Sequence, residues 1–333
     1  MLERALMECN KRLIFRNTGT GMKHSIASKI RSALALGVVA WHTAWTANAA
    51  QDSSIYQQKI DVVYGEVHGT GLLMDVFVPK GKTNGLGIVD VASGAWYSDR
   101  GKIRDHARAG MYDIFCSHGY TVFAVRPGSV SRYTASEMAQ NVKTGIRWVK
   151  EHSAEFGIAP DRLGLTGASA GGHLAALVAL TPEQSQTNAR NPLLRHNTHV
   201  KAVGVFFPPT DFLDWNGRQA PMIILGQLLF VGGAAGRTED EIKREAAAVS
   251  PALQVKGTPP PFLVFHGDAD PLVPLQQSQK LVSALKSAGG EAELIVKKDG
   301  GHPWPTIAEE VEVMAKWFDK HLLETEPAPP RSE

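Results

Sequence analysis

A serine hydroxyl is a weak nucleophile near neutral pH. It becomes useful where a base can take its proton and a third group can hold that base. The segment Leu163-Gly164-Leu165-Thr166-Gly167-Ala168-Ser169-Ala170-Gly171-Gly172-His173-Leu174-Ala175-Ala176 has the makings of such a place. An apolar, strand-like run enters Gly-Ala-Ser-Ala-Gly and passes at once into an Ala/Leu-rich helical stretch. That context turns a G-x-S-x-G match into a nucleophile elbow. Gly167 and Gly171 supply room because side chains in so sharp a turn collide with strand and helix. Ser169 is lifted above the sheet edge at a helix amino terminus, where the dipole and free N–H groups favour developing negative charge.

The chain order that goes with such an elbow is serine, acid, histidine. Downstream, Pro261-Phe262-Leu263-Val264-Phe265 runs into His266-Gly267-Asp268-Ala269-Asp270-Pro271, and Asp270 is the expected acid because it lies in the loop after the strand. Asp268, Asp211 and Asp214 are the alternatives. Next, Ala292 to Val296 leads to Lys298-Asp299-Gly300-Gly301-His302-Pro303-Trp304. A histidine in a Gly-rich loop beyond the last strand can reach the serine, so His302 is the expected base, with His173 and His266 as alternatives. An oxyanion hole must complete the set. Its donors are expected to be the backbone N–H of Ala170, which follows the nucleophile, and those of Gly94 and Ala95, whose small size lets backbone approach a substrate. A plain turn at Ser93-Gly94 is the competing reading. Trp96, Tyr97, Trp215 and Trp304 flank the expected site, where they could stack a sugar or aryl group or simply pack.

These residues need a scaffold that brings distant loops to one edge. After an antiparallel opening pair (60–64 and 72–78), apolar runs at 87–91, 121–125, 163–166, 200–207, 262–265 and 292–296 alternate with helical stretches at 103–118, 135–155, 170–180, 275–288 and 306–323. Continuous apolar runs are expected of strands buried on both faces of a parallel sheet, and the alternation predicts a doubly wound α/β fold. Residues 211–250 are too long for one crossover and read as an insertion over the carboxyl edge of the sheet. Within it Met222 to Val231 is apolar for ten residues, as expected of a buried cap helix rather than a membrane span.

The 333 residues carry a formal net charge of +2, with 43% hydrophobic and 20% charged residues, which excludes disordered and fibrous classes. The basic excess lies in the first 49 positions and the remainder is slightly acidic, so nucleic acid is not an expected partner. The basic start has its own explanation. Lys23, Lys29 and Arg31 precede the apolar run Ala33 to Ala40, and Ala47-Asn48-Ala49 follows, the three parts of an export signal over 22–49. Residues 1–21 read as an upstream leader or mis-assigned start, 50–325 as the catalytic domain and 326–333 as a flexible tail. A secreted or periplasmic location follows. Of two cysteines, Cys9 leaves with the leader and Cys116 stands alone on an amphipathic helix as a small buried hydrophobe, so no disulfide framework is expected. No metal-type Cys/His spacing occurs.

Residues 60–323 resemble the α/β-hydrolase superfamily, and more narrowly its secreted esterase branch of acetyl, acetylxylan and feruloyl esterases. The resemblance is carried by Ile146-Arg147-Trp148-Val149-Lys150, by Phe156-Gly157-Ile158-Ala159-Pro160-Asp161-Arg162 into GASAGGHLAAL, and by Val249-Ser250-Pro251 through to HGDADPLVP. It implies an α/β-hydrolase fold, a mostly parallel sheet of about eight strands flanked by helices with a cap after the sixth strand. It also implies a triad of Ser169, Asp270 and His302. The chain departs from the branch in two places. Ala92-Ser93 stands where relatives carry the His-Gly that braces the oxyanion loop, and Asn141 stands where they often have Asp. The activity implied is that of a serine carboxylic ester hydrolase working through an acyl-enzyme, on short-chain or polysaccharide-linked acyl esters, with no cofactor. A peptidase of the prolyl-oligopeptidase type and a binding protein on the same scaffold are the rival readings.

Overall fold

The computed structural model describes residues 53–323. The expected leader and export signal (1–21 and 22–49) and the tail (326–333) lie outside the described residues. Eight strands form one sheet: β1 (Tyr56–Val67), β2 (Thr70–Pro79), β3 (Gly87–Val91), β4 (Thr121–Arg126), β5 (Gly164–Ala168), β6 (Ala202–Phe206), β7 (Phe262–Gly267) and β8 (Ala292–Lys297). Their order is β1-β2-β4-β3-β5-β6-β7-β8. β1 and β2 pair antiparallel, β2 joins β4 antiparallel, and every pairing from β4 to β8 is parallel.

Why the strands form is visible in their burial. β3 and β6 are buried along their whole length, as continuous apolar runs require, whereas β1 alternates exposed and half-buried residues because it is an edge. Successive residues on β3 serve two cores. Val89 and Val91 pack on one face, with helices α3 (Ala135–Glu151), α5 (Ala170–Leu180) and α8 (Gln276–Ser287). Ile88 faces the other, with α1 (Arg100–Arg108), α2 (Met111–Ser117) and α9 (Ile307–Phe318). Each fully buried Leu, Ile or Phe in these layers contributes about 1.5–3 kcal/mol relative to exposure.

Helix boundaries follow local chemistry. The stretch expected over 103–118 is two helices, because Gly110 takes φ 76° and ends α1 before α2 begins. α3 starts at Thr134, whose hydroxyl caps Glu137 N–H while the Glu137 carboxylate returns to Thr134 N–H. It stops at His152, ahead of the short α4 (Ser153–Phe156). The segment between β6 and β7 carries α6 (Met222–Leu229) and α7 (Glu239–Ala248). The first was expected to be buried, and Leu225, Leu228 and Leu229 are, but Met222 is 45% exposed, so only one face packs. The second repeats the Thr-x-x-Glu capping box at Thr238 and Glu241. Among the described residues no helix is long and apolar enough to cross a membrane.

The sheet order sets where loops can meet. From β3 the chain goes to β4 on one side, then crosses to β5 on the other. The loops leaving the carboxyl ends of β3 and β5 therefore part in opposite directions and open a crevice between them.

Candidate active site

Ser169 sits between the end of β5 and the start of α5 with φ 53° and ψ −118°. A residue with a side chain adopts this only under constraint, at about 1–3 kcal/mol. The constraint is visible. Ser169 N–H donates to Phe206 O at 2.9 Å, and Ser169 O accepts His173 N–H at 2.8 Å. The glycines are required by contact as well as by turn geometry. A Cβ on Gly171 would lie 2.2 Å from Val91 O, and one on Gly167 would lie 2.5 Å from the Gly171 backbone. The helix start is thus pressed directly on the end of β3.

Three side chains form a hydrogen-bonded row there. The Ser169 hydroxyl lies 2.8 Å from His302 Nε2, and His302 Nδ1 lies 2.6 Å from Asp270 Oδ2. The Asp270 carboxylate is fixed from behind, its Oδ1 accepting the N–H groups of Leu272 and Val273 at 2.8 and 2.9 Å. Burial pushes this carboxyl up. Hydrogen bonds from His266 and His302 and from the Val273 and Leu272 backbone outweigh it and hold the group well below the usual carboxylate range. Of those donors His266 is the loosest: its Nε2 is 3.5 Å from Asp270 but 2.8 Å from Val273 O, so its proton belongs to the loop carbonyl.

The alternative acids are engaged elsewhere. Asp268 accepts Asp299 N–H at 2.6 Å. Asp211 and Asp214 share Lys280. The alternative histidines are fully buried within the fold. His266 bonds Ser278 and Val273 O, and so steadies the loop that carries Asp270.

The loop after β3 is a two-residue hairpin. Gly94 and Tyr97 exchange both backbone hydrogen bonds at 2.9 Å, while Ala95 and Trp96 take φ 48° and 58°. Both central residues in the left-handed region mark a type I′ turn, which usually selects Asn-Gly. This corrects the expectation for Gly94: its N–H is spent on Tyr97 O and is no donor for an oxyanion. Among the described residues, the N–H groups of Ala95 and Trp96 in the turn and of Ala170 at the helix start donate to no acceptor.

What braces this turn was invisible in the linear chain. The Trp96 indole N–H donates to His173 Nδ1 at 3.0 Å, and His173 Nε2–H donates to Val249 O at 2.7 Å. His173 is completely buried, and burial lowers its imidazole to about 4. It is a neutral strut from the nucleophile helix to the turn. The signal lay in the motif itself, where His173 follows the elbow, but its partner is 77 positions away.

A cavity of about 490 Å³ opens over the row. Ser93, Gly94, Ala95 and Trp96 line it from the turn, Phe207, Pro209, Trp215 and Ile224 from the segment after β6, and Lys102, Asp105 and His106 from α1. Two expected aromatic contacts are absent from this lining. Tyr97 leaves the turn into solvent, 44% exposed. Trp304 is buried behind His302, packed edge-on to Phe207, with its indole N–H on the Glu310 carboxylate at 2.8 Å.

Comparison with known proteins agrees with this architecture. The BD-FAE family model matches residues 74–285. The carboxylic ester hydrolase LipM of Mycobacterium tuberculosis, so named as probable, is 29% identical over 236 residues, 69% of this chain and 52% of that protein. Esterase LipQ of the same organism is 30% identical over 207 residues, 61% and 46% of the two chains. The chain thus spans about half the length of the curated relatives it matches. Among solved structures, a truncated carbohydrate esterase from gut microbiota superposes with a TM-score of 0.70 at 25% identity, covering 82% of this chain and 99% of that one. With more than half of its length matched to the family and the sheet order described above, the protein belongs to the BD-FAE family and has the α/β-hydrolase fold.

Proposed function

We propose that the protein is a serine carboxylic ester hydrolase. One observation carries the reading: a strained serine at a strand-to-helix turn, hydrogen-bonded to an imidazole that a buried carboxylate holds by its other nitrogen. Ser169 Oγ attacks the ester carbonyl as His302 Nε2 takes its proton, and the carbonyl oxygen gains the negative charge. The N–H groups of Ala95, Trp96 and Ala170 receive that oxyanion; one such donor is worth about 2.7–4 kcal/mol to the transition state. The intermediate collapses, the C–O bond to the alcohol breaks, and the alcohol leaves with the proton held by His302. Water then repeats the sequence on the acyl-enzyme and releases the acid. Asp270 keeps Nδ1 protonated throughout, so that Nε2 is the face that accepts.

A cavity of about 490 Å³ suits a small acyl or sugar-sized group. Together with the likeness to a carbohydrate esterase, this favours short-chain or polysaccharide-linked acyl esters, with Trp96 and Trp215 as the aromatic walls and 211–250 as the cap. The leader composition adds export, and amino-terminal sequencing of secreted protein should begin near Ala50. Ser169→Ala should abolish both p-nitrophenyl acetate turnover and fluorophosphonate labelling. Undiminished turnover in that variant rejects the reading.

A further inference from the structure

The cavity holds a second histidine that the mechanism above leaves idle. His106 lines it from α1, and its Nδ1 lies 2.8 Å from Oδ2 of Asp90. Asp90 sits on β3, wholly buried, on the face of the sheet covered by α1 and α2, and Tyr112 of α2 donates its hydroxyl to the same oxygen at 2.9 Å. A carboxylate taken out of water into an apolar layer is costly unless it is paired, so it is a poor way to fill space. Here it fixes one edge of the ring and thereby turns the other outward. Among the described residues His106 Nε2 makes no hydrogen bond, although the ring is otherwise enclosed, 8% exposed.

The charges around that edge choose its ligand. Lys102 and Asp105, also in the lining, face each other at 3.5 Å, and His106 is offset by Asp90. Burial lowers the His106 imidazole, and the Asp90 charge and hydrogen bond outweigh this and raise it. In either protonation state this wall carries no net positive charge, so a carboxylate has nothing to hold it. An alkyl group there would strip the ring nitrogen of water without replacing the bond. A neutral hydroxyl both donates and accepts, and matches the imidazole edge whether or not it is protonated.

We propose that His106 is a substrate-binding residue whose Nε2 edge, set by Asp90, takes a neutral hydroxyl group carried by the ester. The proposal rests on the ester-hydrolase reading for its substrate class. The hydroxyl could belong to either half of the ester, and matched pairs separate the two: 2,3-dihydroxypropyl butyrate against propyl butyrate, and ethyl 3-hydroxybutyrate against ethyl butyrate. In the full chain carrying Ser169→Ala the esters stay intact, and binding is read by calorimetry independently of turnover. The expected result is about tenfold tighter binding of the hydroxylated partner in one arm, the order of one hydrogen bond. That preference should fall to about one when His106→Gln is added, since Gln can still donate to Asp90 but vacates the edge. Because a substitution beside a buried carboxylate can unfold the chain, a second readout keeps His106: its Nε2 resonance, followed by nitrogen NMR, should move with the hydroxylated ester and stay with the plain one. Equal affinities in both arms, weak binding of all four esters, a preference that survives His106→Gln, or an unmoved Nε2 resonance each overturn it. Failure of the wild-type chain to hydrolyse the plain esters counts against the ester-hydrolase reading instead and leaves the binding comparison intact.

Discussion

Two histidine–aspartate pairs face one cavity. In the first, His302 binds Asp270 at 2.6 Å and offers Nε2 to Ser169. In the second, His106 binds Asp90 at 2.8 Å and offers Nε2 to open space. The carboxylates are equally buried, yet they are held differently. Asp270 receives two backbone N–H groups on its second oxygen, whereas the second oxygen of Asp90 has no partner among the described residues. A fully satisfied carboxylate holds its ring in one place. A half-satisfied one leaves its pair tolerant of small shifts, which suits contact with a ligand better than proton transfer along a fixed line. A third histidine, His173, is fully buried behind the turn, has no carboxylate among its hydrogen-bond partners and is driven neutral by burial.

The largest effects are expected at the first pair. Ser169→Ala should lower kcat for p-nitrophenyl acetate by about 10^5-fold or more, because a serine of a triad is not replaced by its neighbours. Asp270→Asn should cost about 10^4-fold in kcat by favouring the wrong imidazole tautomer. If Asp90→Asn cost as much in the same assay, the roles assigned to the two pairs would be reversed.

The third histidine sharpens the point through pH. Its folded value, about 4, is below the ordinary 6.5, so between these values the unfolded chain holds a proton that the folded chain refuses. Stability from this group is therefore full above about pH 6.5 and is lost as pH falls toward 4, by about 3 kcal/mol at most. His106 has the opposite sign: its raised value makes its contribution full below the ordinary value and lost as pH rises through the folded one. Urea unfolding at pH 7, 5.5 and 4.5 should show the acid-side loss in the wild type and a flatter profile in His173→Gln. Equal slopes would show that His173 does not titrate on unfolding. The smallest effect belongs to the second carboxylate: Asp90→Asn should cost about 1–3 kcal/mol, a fall of a few degrees in Tm, by weakening its bonds to His106 and Tyr112. An unchanged Tm in that variant would mean that the pair contributes nothing to holding α1 on the sheet.

What could be read from the linear chain follows the range of the interaction concerned. β3 was legible to the residue, and β5 with α5 nearly so, since continuous apolar runs and Gly-Ala-Ser-Ala-Gly are local signals. Asp270 was separable from Asp268 only as a choice, because which carboxylate meets His302 depends on how the loop after β7 folds. Gly94 was misassigned because its small size signals backbone access, yet a type I′ turn uses the N–H of its first residue internally. α7 carries a Thr-x-x-Glu box that identifies a helix start, inside a segment whose strongest signal is its apolar content. The Trp96–His173 strut and the Asp90–His106 pair join residues from different elements, and no periodicity marks such a contact. Asp90 in particular is one polar residue in a buried strand, and its pairing across layers with His106 and Tyr112 explains it.

The contact of Gly171 on Val91 has a mechanical consequence. With no side chain between them, helix start and strand end behave as a single block, and Gly171 N–H ties that block to Ser93 O at 3.0 Å. Hydroxyl and turn therefore travel together when the protein breathes. The wall bearing Trp215 rests on the same block, because Phe212 stacks with Trp215 and meets His173 of the nucleophile helix edge-on at 5.1 Å.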